Sequence, residues 1–279
     1  MRDLLSVLPV GTGDALGHSA DYAIGLAKAR GAHLTALMVA GEAVGPAPQE
    51  RPGTMQGDIV DGPLISASSG LSAEKGEQLA AAARLSGTEC TVLSASSGSP
   101  NFRELLVGTA QVRDVVIFDV EGPLQQPMLG WVEAILFGSG RPIVLAPFGG
   151  RPVINGTIVF AWDESRSAVR TLHDILPLMI GSRDVVVVSV IDDKQIRNPG
   201  SGEWICSYLA RWGVTARFQP ISRRSGKVGI DLLDFARQMN ADVLAMGGFG
   251  HSREREFVFG SATRDILQSN LVIPVFLSH

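Results

Sequence analysis

Four consecutive valines, Val185 to Val188, stand within an apolar run over residues 184–191. A run so short and so uniformly apolar predicts a strand buried on both faces, as in a parallel sheet. The segments around it change period. Residues 165–179 carry Ala168, Leu172, Ile175, Leu176 and Met179 at helical spacing, and residues 228–239 carry Ile230, Leu233, Phe235 and Ala236 in the same way. With strands at 158–162, 214–221, 242–246 and 273–277 and helices at 202–212 and 262–268, the second half reads βαβαβαβαβ. Strands alternating with helices predict a parallel sheet covered on both faces.

The first half repeats the plan. Strands are expected at 4–8, 33–39, 90–94, 114–118 and 143–145, with helices at 18–30, 71–85, 101–110 and 129–137. Asp114-Val115-Val116-Ile117 parallels Asp242-Val243-Leu244-Ala245, and Arg141-Pro142-Ile143-Val144-Leu145 parallels Ile273-Pro274-Val275-Phe276-Leu277. This is one duplication at long period, so two copies of a domain and not a solenoid. The expected domains are 1–148 and 153–279, joined by Phe148-Gly149-Gly150-Arg151-Pro152. Residues 40–70, rich in Gly, Pro and Ser, read as a long surface loop.

Composition narrows the function classes. The 279 residues suit two cores, each of roughly 140 residues. A net charge of -4, with cationic spots only at Arg223-Arg224 and Arg253 to Arg255, argues against a nucleic-acid partner. Cys90 and Cys206 are far apart and form no Cys-x-x-Cys pair, which removes zinc-knuckle and thioredoxin chemistry and fits a reducing compartment. No apolar run is long enough for a membrane span or a signal segment, so the expected location is the cytoplasm, with no membrane partner.

The densest chemical signal follows the strand at 242–246. Gly247 and Gly250 are separated by two residues, and after nine further residues Gly260-Ser261 opens a helix. Glycines at a strand end allow a sharp turn and close approach of a ligand to backbone. The first N–H groups of a helix have no internal partner and favour a phosphate. In open α/β sheets ligands collect at this edge. The bland reading, that Gly260 is a loop residue and Ser261 only an N-cap, stands beside it.

These residues resemble the universal stress protein family, whose signature Gly-x2-Gly-x9-Gly-Ser/Thr is matched at Gly247, Gly250, Gly260 and Ser261. The length is similar to the tandem two-domain subgroup. The resemblance implies an α/β fold of two tandem Rossmann-like, adenine-nucleotide α-hydrolase-like domains, each a five-stranded parallel sheet flanked by helices. It implies that the halves pack as an intramolecular pseudo-dimer across their last strands, and that the second domain holds ATP, or ADP or AMP, with magnesium. The implied binding residues are Ala161, Asp163, Val190, Met246, Gly247, Gly250, His251, Gly260, Ser261 and Ala262. Asp163, just after the first strand of that half, would take hydrogens from ribose hydroxyls or an exocyclic amine, or else simply cap the next helix. Val190 would line the base pocket, and His251 would lie near the phosphates.

The first half departs from the pattern. Asp114 to Pro142 is four residues shorter than Asp242 to Pro274, no glycine signature is present, and Asp119 and Glu121 would repel phosphate. It reads as a degenerate copy that binds no ATP. Gly11-Thr12-Gly13-Asp14-Ala15-Leu16-Gly17 resembles a dinucleotide fingerprint with its third glycine one place late. No Walker loop, no Gly-x-Ser-x-Gly elbow and no paired histidines point to a catalyst. The resemblance, with no catalytic motif beside it, implies a stress-response binding protein that hydrolyses ATP slowly at most. The alternative is an ATP-independent interaction or small-ligand protein of the same fold. The chain either stops at the monomer or pairs again as a homodimer.

Overall fold

The computed structural model describes residues 1–10, 18–41, 70–192, 198, 200–249 and 261–279. The glycine run at 11–17, residues 42–69 of the loop expected over 40–70, and Gly250, His251 and Gly260 of the signature lie outside the described residues.

The first half runs β1 (Asp3–Val10), α1 (His18–Arg30), β2 (His33–Ala40), α2 (Gly70–Ser86), β3 (Cys90–Ser96), α3 (Phe102–Gln111), β4 (Val115–Val120), α4 (Met128–Gly138) and β5 (Ile143–Pro147). The second runs β6 (Thr157–Ala161), α5 (Arg166–Met179), β7 (Asp184–Val190), α6 (Ser201–Ala210), β8 (Ala216–Ile221), α7 (Val228–Gln238), β9 (Val243–Gly247), α8 (Ser261–Leu267) and β10 (Val275–Ser278). Every expected element is present, and only the ends move. β1 extends past the expected 4–8 because Pro9 and Val10 still find partners in Val39 and Ala40 of β2. At β8 and β10 the first two expected residues drop out, since pairing starts at Ala216 and Val275.

All strands join one sheet in the order β3-β2-β1-β4-β5-β10-β9-β6-β7-β8. Each half is parallel within itself. The halves meet at an antiparallel seam between their last strands, where Val275, Phe276 and Leu277 face Leu145, Val144 and Ile143. Period-two alternation explains the valine run: Val185 and Val187 enter the core on one face, Val186 and Val188 the core on the other. Both cores cross the seam. Phe118 and Leu145 share one with Leu244 and Leu277, while Tyr22 and Val144 share the other with Phe160 and Phe276.

The duplication extends to hydrogen bonds. Asp114 donates its N–H to Asp3 O at 2.8 Å, and its carboxylate takes the N–H groups of Arg2 and Asp3. Asp242 donates to Thr157 O at 2.8 Å and takes the Thr157 N–H at 2.7 Å. Val116 and Leu244 each donate at 3.0 Å, to Pro142 O and Pro274 O. Each half also caps the other. The Arg30 guanidinium donates to Pro177 O and Leu178 O at the end of α5, at 3.2 and 3.4 Å, where cations suit the carbonyls of a helix C-terminus. Arg170 of α5 donates to Gly140 O at 2.9 Å.

Candidate functional site

In the second half β6 pairs with β7 on one side and β9 on the other. The helix after β6, α5, packs on one face of the sheet, and α8, after β9, on the other. The crevice at the carboxyl ends of β6 and β9 is therefore the topological switch point of this half, where an open α/β sheet takes its ligand. Ala161, Asp163, Val190, Met246 and Gly247 all stand at this edge, and Ala262 lies in the first turn of α8. Met246 buries its side chain in the core, so only its backbone faces the edge.

The path beyond β6 is tightly fixed. Trp162 N–H donates to Val188 O at 2.8 Å, and the Ser189 hydroxyl donates to Trp162 O at 2.6 Å. The Trp162 indole N–H reaches the Ser201 hydroxyl at the start of α6, at 3.0 Å. Asp163 then sits exposed, and its Oδ1 accepts the Ser165 N–H at 3.1 Å in an Asx turn. The helix cap is Ser165, whose hydroxyl accepts the Ala168 N–H at 3.1 Å. This corrects the alternative reading of Asp163 as the cap: the helix starts two residues later, because Glu164 intervenes at φ +58°. A non-glycine residue in that region costs about 1–3 kcal/mol and collects at functional sites. Glu164 Oε1 accepts the Asn198 N–H at 3.0 Å, tying this turn to the segment before α6.

The end of β9 is fixed as firmly. Gly247 keeps a backbone conformation outside the left-handed region, so the expected φ freedom is not what it supplies. A β-carbon there would stand 2.6 Å from the Ser167 hydroxyl and 2.7 Å from Ala168 N. The close approach expected at this glycine is thus made by the first turn of α5. Gly248 N–H donates to Ser278 O at 2.7 Å, and its carbonyl accepts from His279 Nδ1 at 3.1 Å, so Nδ1 carries the proton in that contact.

Phe249 follows at φ +60°, with its N–H on the Thr263 hydroxyl of α8 at 3.1 Å. Its ring lies 4.6 Å from that of Phe137, at the end of α4 in the other half, and 6.1 Å from the His279 ring. Periodicity gives no sign of this trio, since its members lie in three separate segments. Ser261 opens α8, as expected, but that helix has only seven residues.

At the matching edge of the first half, residues 119–126 and Met128 line an open cavity of about 400 Å³. Its Leu124 N–H donates to Leu267 O at the end of α8, at 2.7 Å. Two carboxylates, Asp119 and Glu121, line it where a phosphate site would need donors. Among the described residues no helix is long and apolar enough to cross a membrane, and no group of three or more His, Cys, Asp or Glu could hold a metal ion.

No protein-family model and no curated protein matches the chain by sequence. Solved structures match it over almost its whole length. A universal stress protein from Archaeoglobus fulgidus DSM 4304 superposes with a TM-score of 0.64 at 16% identity, covering 98% of this chain and 95% of that one. A protein of unknown function from Pseudomonas aeruginosa PAO1 gives 0.59 at 14% identity, covering 99% and 92%. At such identities the likeness speaks for the fold. The chain has the universal stress protein fold, with its strand pattern laid down twice in one sheet.

Proposed function

We propose that this chain is a regulatory binding protein of the universal stress protein family, built of two domains at 1–148 and 153–279. The second domain holds ATP, or a related adenine nucleotide, at the carboxyl ends of β6, β7 and β9. The observation that carries the reading is a coincidence of place: the signature starts at Gly247 and ends at Ser261, and those two residues flank the β6–β9 switch point. The groups at this edge suit the base and ribose side. Asp163 offers an exposed carboxylate oriented by Ser165, and Val190 is a half-buried apolar residue at the end of β7. Gly250, His251 and Gly260 would serve the phosphates. Magnesium would arrive bound mainly to phosphate oxygens, as it commonly does, since no protein cage is formed among the described residues.

Calorimetry with ATP and ADP in the presence of magnesium tests this reading, with a Gly250→Asp variant alongside. One-to-one binding that the variant loses is expected, because a carboxylate and a β-carbon would stand where phosphate belongs. Absence of binding by both proteins sinks the reading.

One observation favours the second reading, an ATP-independent interaction protein. Gly247 is accounted for by its contact with Ser167 and Ala168, without any ligand. That reading predicts that the chain binds no nucleotide.

A further inference from the structure

The half without the glycine signature touches the other half at Phe249, within the signature, and at the far end of the helix that follows it. Phe137 packs its ring 4.6 Å from Phe249 at an angle of 55°. Leu124 donates its N–H to Leu267 O at the last residue of α8, beyond Ser261. The first contact bears on backbone that needs holding. Phe249 is a bulky residue in the left-handed region, a conformation that persists only where its surroundings impose it. Its N–H is fixed by Thr263 in the second half. Its ring is enclosed by Phe137 and by His279, which itself meets the Phe137 ring at 4.8 Å. Phe137 is 39% exposed, so its ring is not sealed in the core of its own half.

We propose that Phe137 is a positioning residue for the nucleotide site of the other half: its ring holds Phe249 in the left-handed conformation, and so aims the backbone that leaves β9. The degenerate half then has a task at the site, as the platform on which the entry to the signature is set. This inference rests on the nucleotide reading proposed above.

The test uses the full chain with Phe137→Ala and Phe137→Tyr. Hydrogen exchange at the Phe249 amide is followed without ligand, and affinities for ATP and for adenosine are measured separately. Phe137→Ala is expected to speed exchange at Phe249 and to weaken ATP by about tenfold, the scale of one lost aromatic contact. Adenosine lacks the phosphates and keeps its contacts near Asp163 and Val190, so its affinity stays within about twofold. Phe137→Tyr keeps the ring and restores both readouts. Unchanged exchange at Phe249, or equal weakening of ATP and adenosine, overturns the positioning role. If the unaltered chain binds no ATP, the nucleotide reading falls and takes the site role with it, while exchange still decides whether Phe137 holds Phe249.

Discussion

Gly247 meets Ser167 where the end of β9 crosses the first turn of α5, leaving no room for a β-carbon between them. The neighbours it would strike are partly backbone, which cannot swing aside as a flexible side chain can. Gly247→Ala should therefore destabilise the fold by about 1–3 kcal/mol, the usual cost of overpacking a filled site. Gly248→Ala is the control, since its nearest neighbour would be Ser278 O at an ordinary 3.4 Å. Urea unfolding of the two variants should separate them, and equal stability would show that α5 can retreat.

Asp163 gives a prediction that separates binding from folding. Its carboxylate is exposed and accepts the Ser165 N–H in an Asx turn. In the nucleotide reading it also takes hydrogens from the ligand. Asp163→Ala should lower ATP affinity by about tenfold or more, while loss of the exposed Asx-turn bond lowers ligand-free stability by about 1 kcal/mol. A variant that binds ATP as tightly as the unaltered chain would remove Asp163 from the site.

The elements were legible because their burial is uniform along the chain. Val185 to Val188 read as a doubly covered strand and are fully buried, and α5 shows its buried face in Ala168, Leu172, Ile175 and Met179. The duplication was legible at Asp114 and Asp242, whose equivalence holds down to the hydrogen bonds they make. The edge of the sheet that carries the candidate site followed from chain order. What the sequence hid were relations between distant segments. That Gly247 is small for the sake of Ser167 is a contact across 80 residues of sequence. Glu164 and Phe249 adopt positive φ although neither residue type favours it, so no local rule announces them. The ring trio of Phe137, Phe249 and His279 exists only because the seam between β5 and β10 brings the halves together.

The two thiols offer an internally controlled test of local electrostatics. Burial pushes the Cys206 thiol up, Glu203 on the same helix pushes it further, and a backbone hydrogen bond works against both. Cys90 is pushed up by burial alone. The thiolate is the reactive form, so a raised pKa slows alkylation. Glu203→Gln should quicken iodoacetamide labelling of Cys206 at pH 8, by about twofold, and leave Cys90 unchanged. Equal acceleration of both would instead report a loosened fold.

Tyr22 links the two halves through a charge. It lies fully buried on α1 of the first half, and its hydroxyl has no hydrogen-bond partner among the described residues. Burial first, and then the Asp242 carboxylate of the second half, push its ionisation well above the ordinary tyrosine range. Below about pH 10 the phenol keeps its proton in both folded and unfolded chains, and the group adds no pH dependence. As the pH rises past about 10 the unfolded chain releases the proton while the folded chain retains it, so folding stability falls. The slope from this one group is about 1.4 kcal/mol per pH unit. Tyr22→Phe removes that slope and also the unsatisfied buried hydroxyl. At neutral pH the variant should match or exceed the unaltered chain, by about 1 kcal/mol. Their difference should then widen in favour of the variant as denaturation is repeated at higher pH. A variant less stable at neutral pH would mean that the hydroxyl has a partner in the native protein. A difference that stays constant with pH would mean that Tyr22 ionises as readily folded as unfolded.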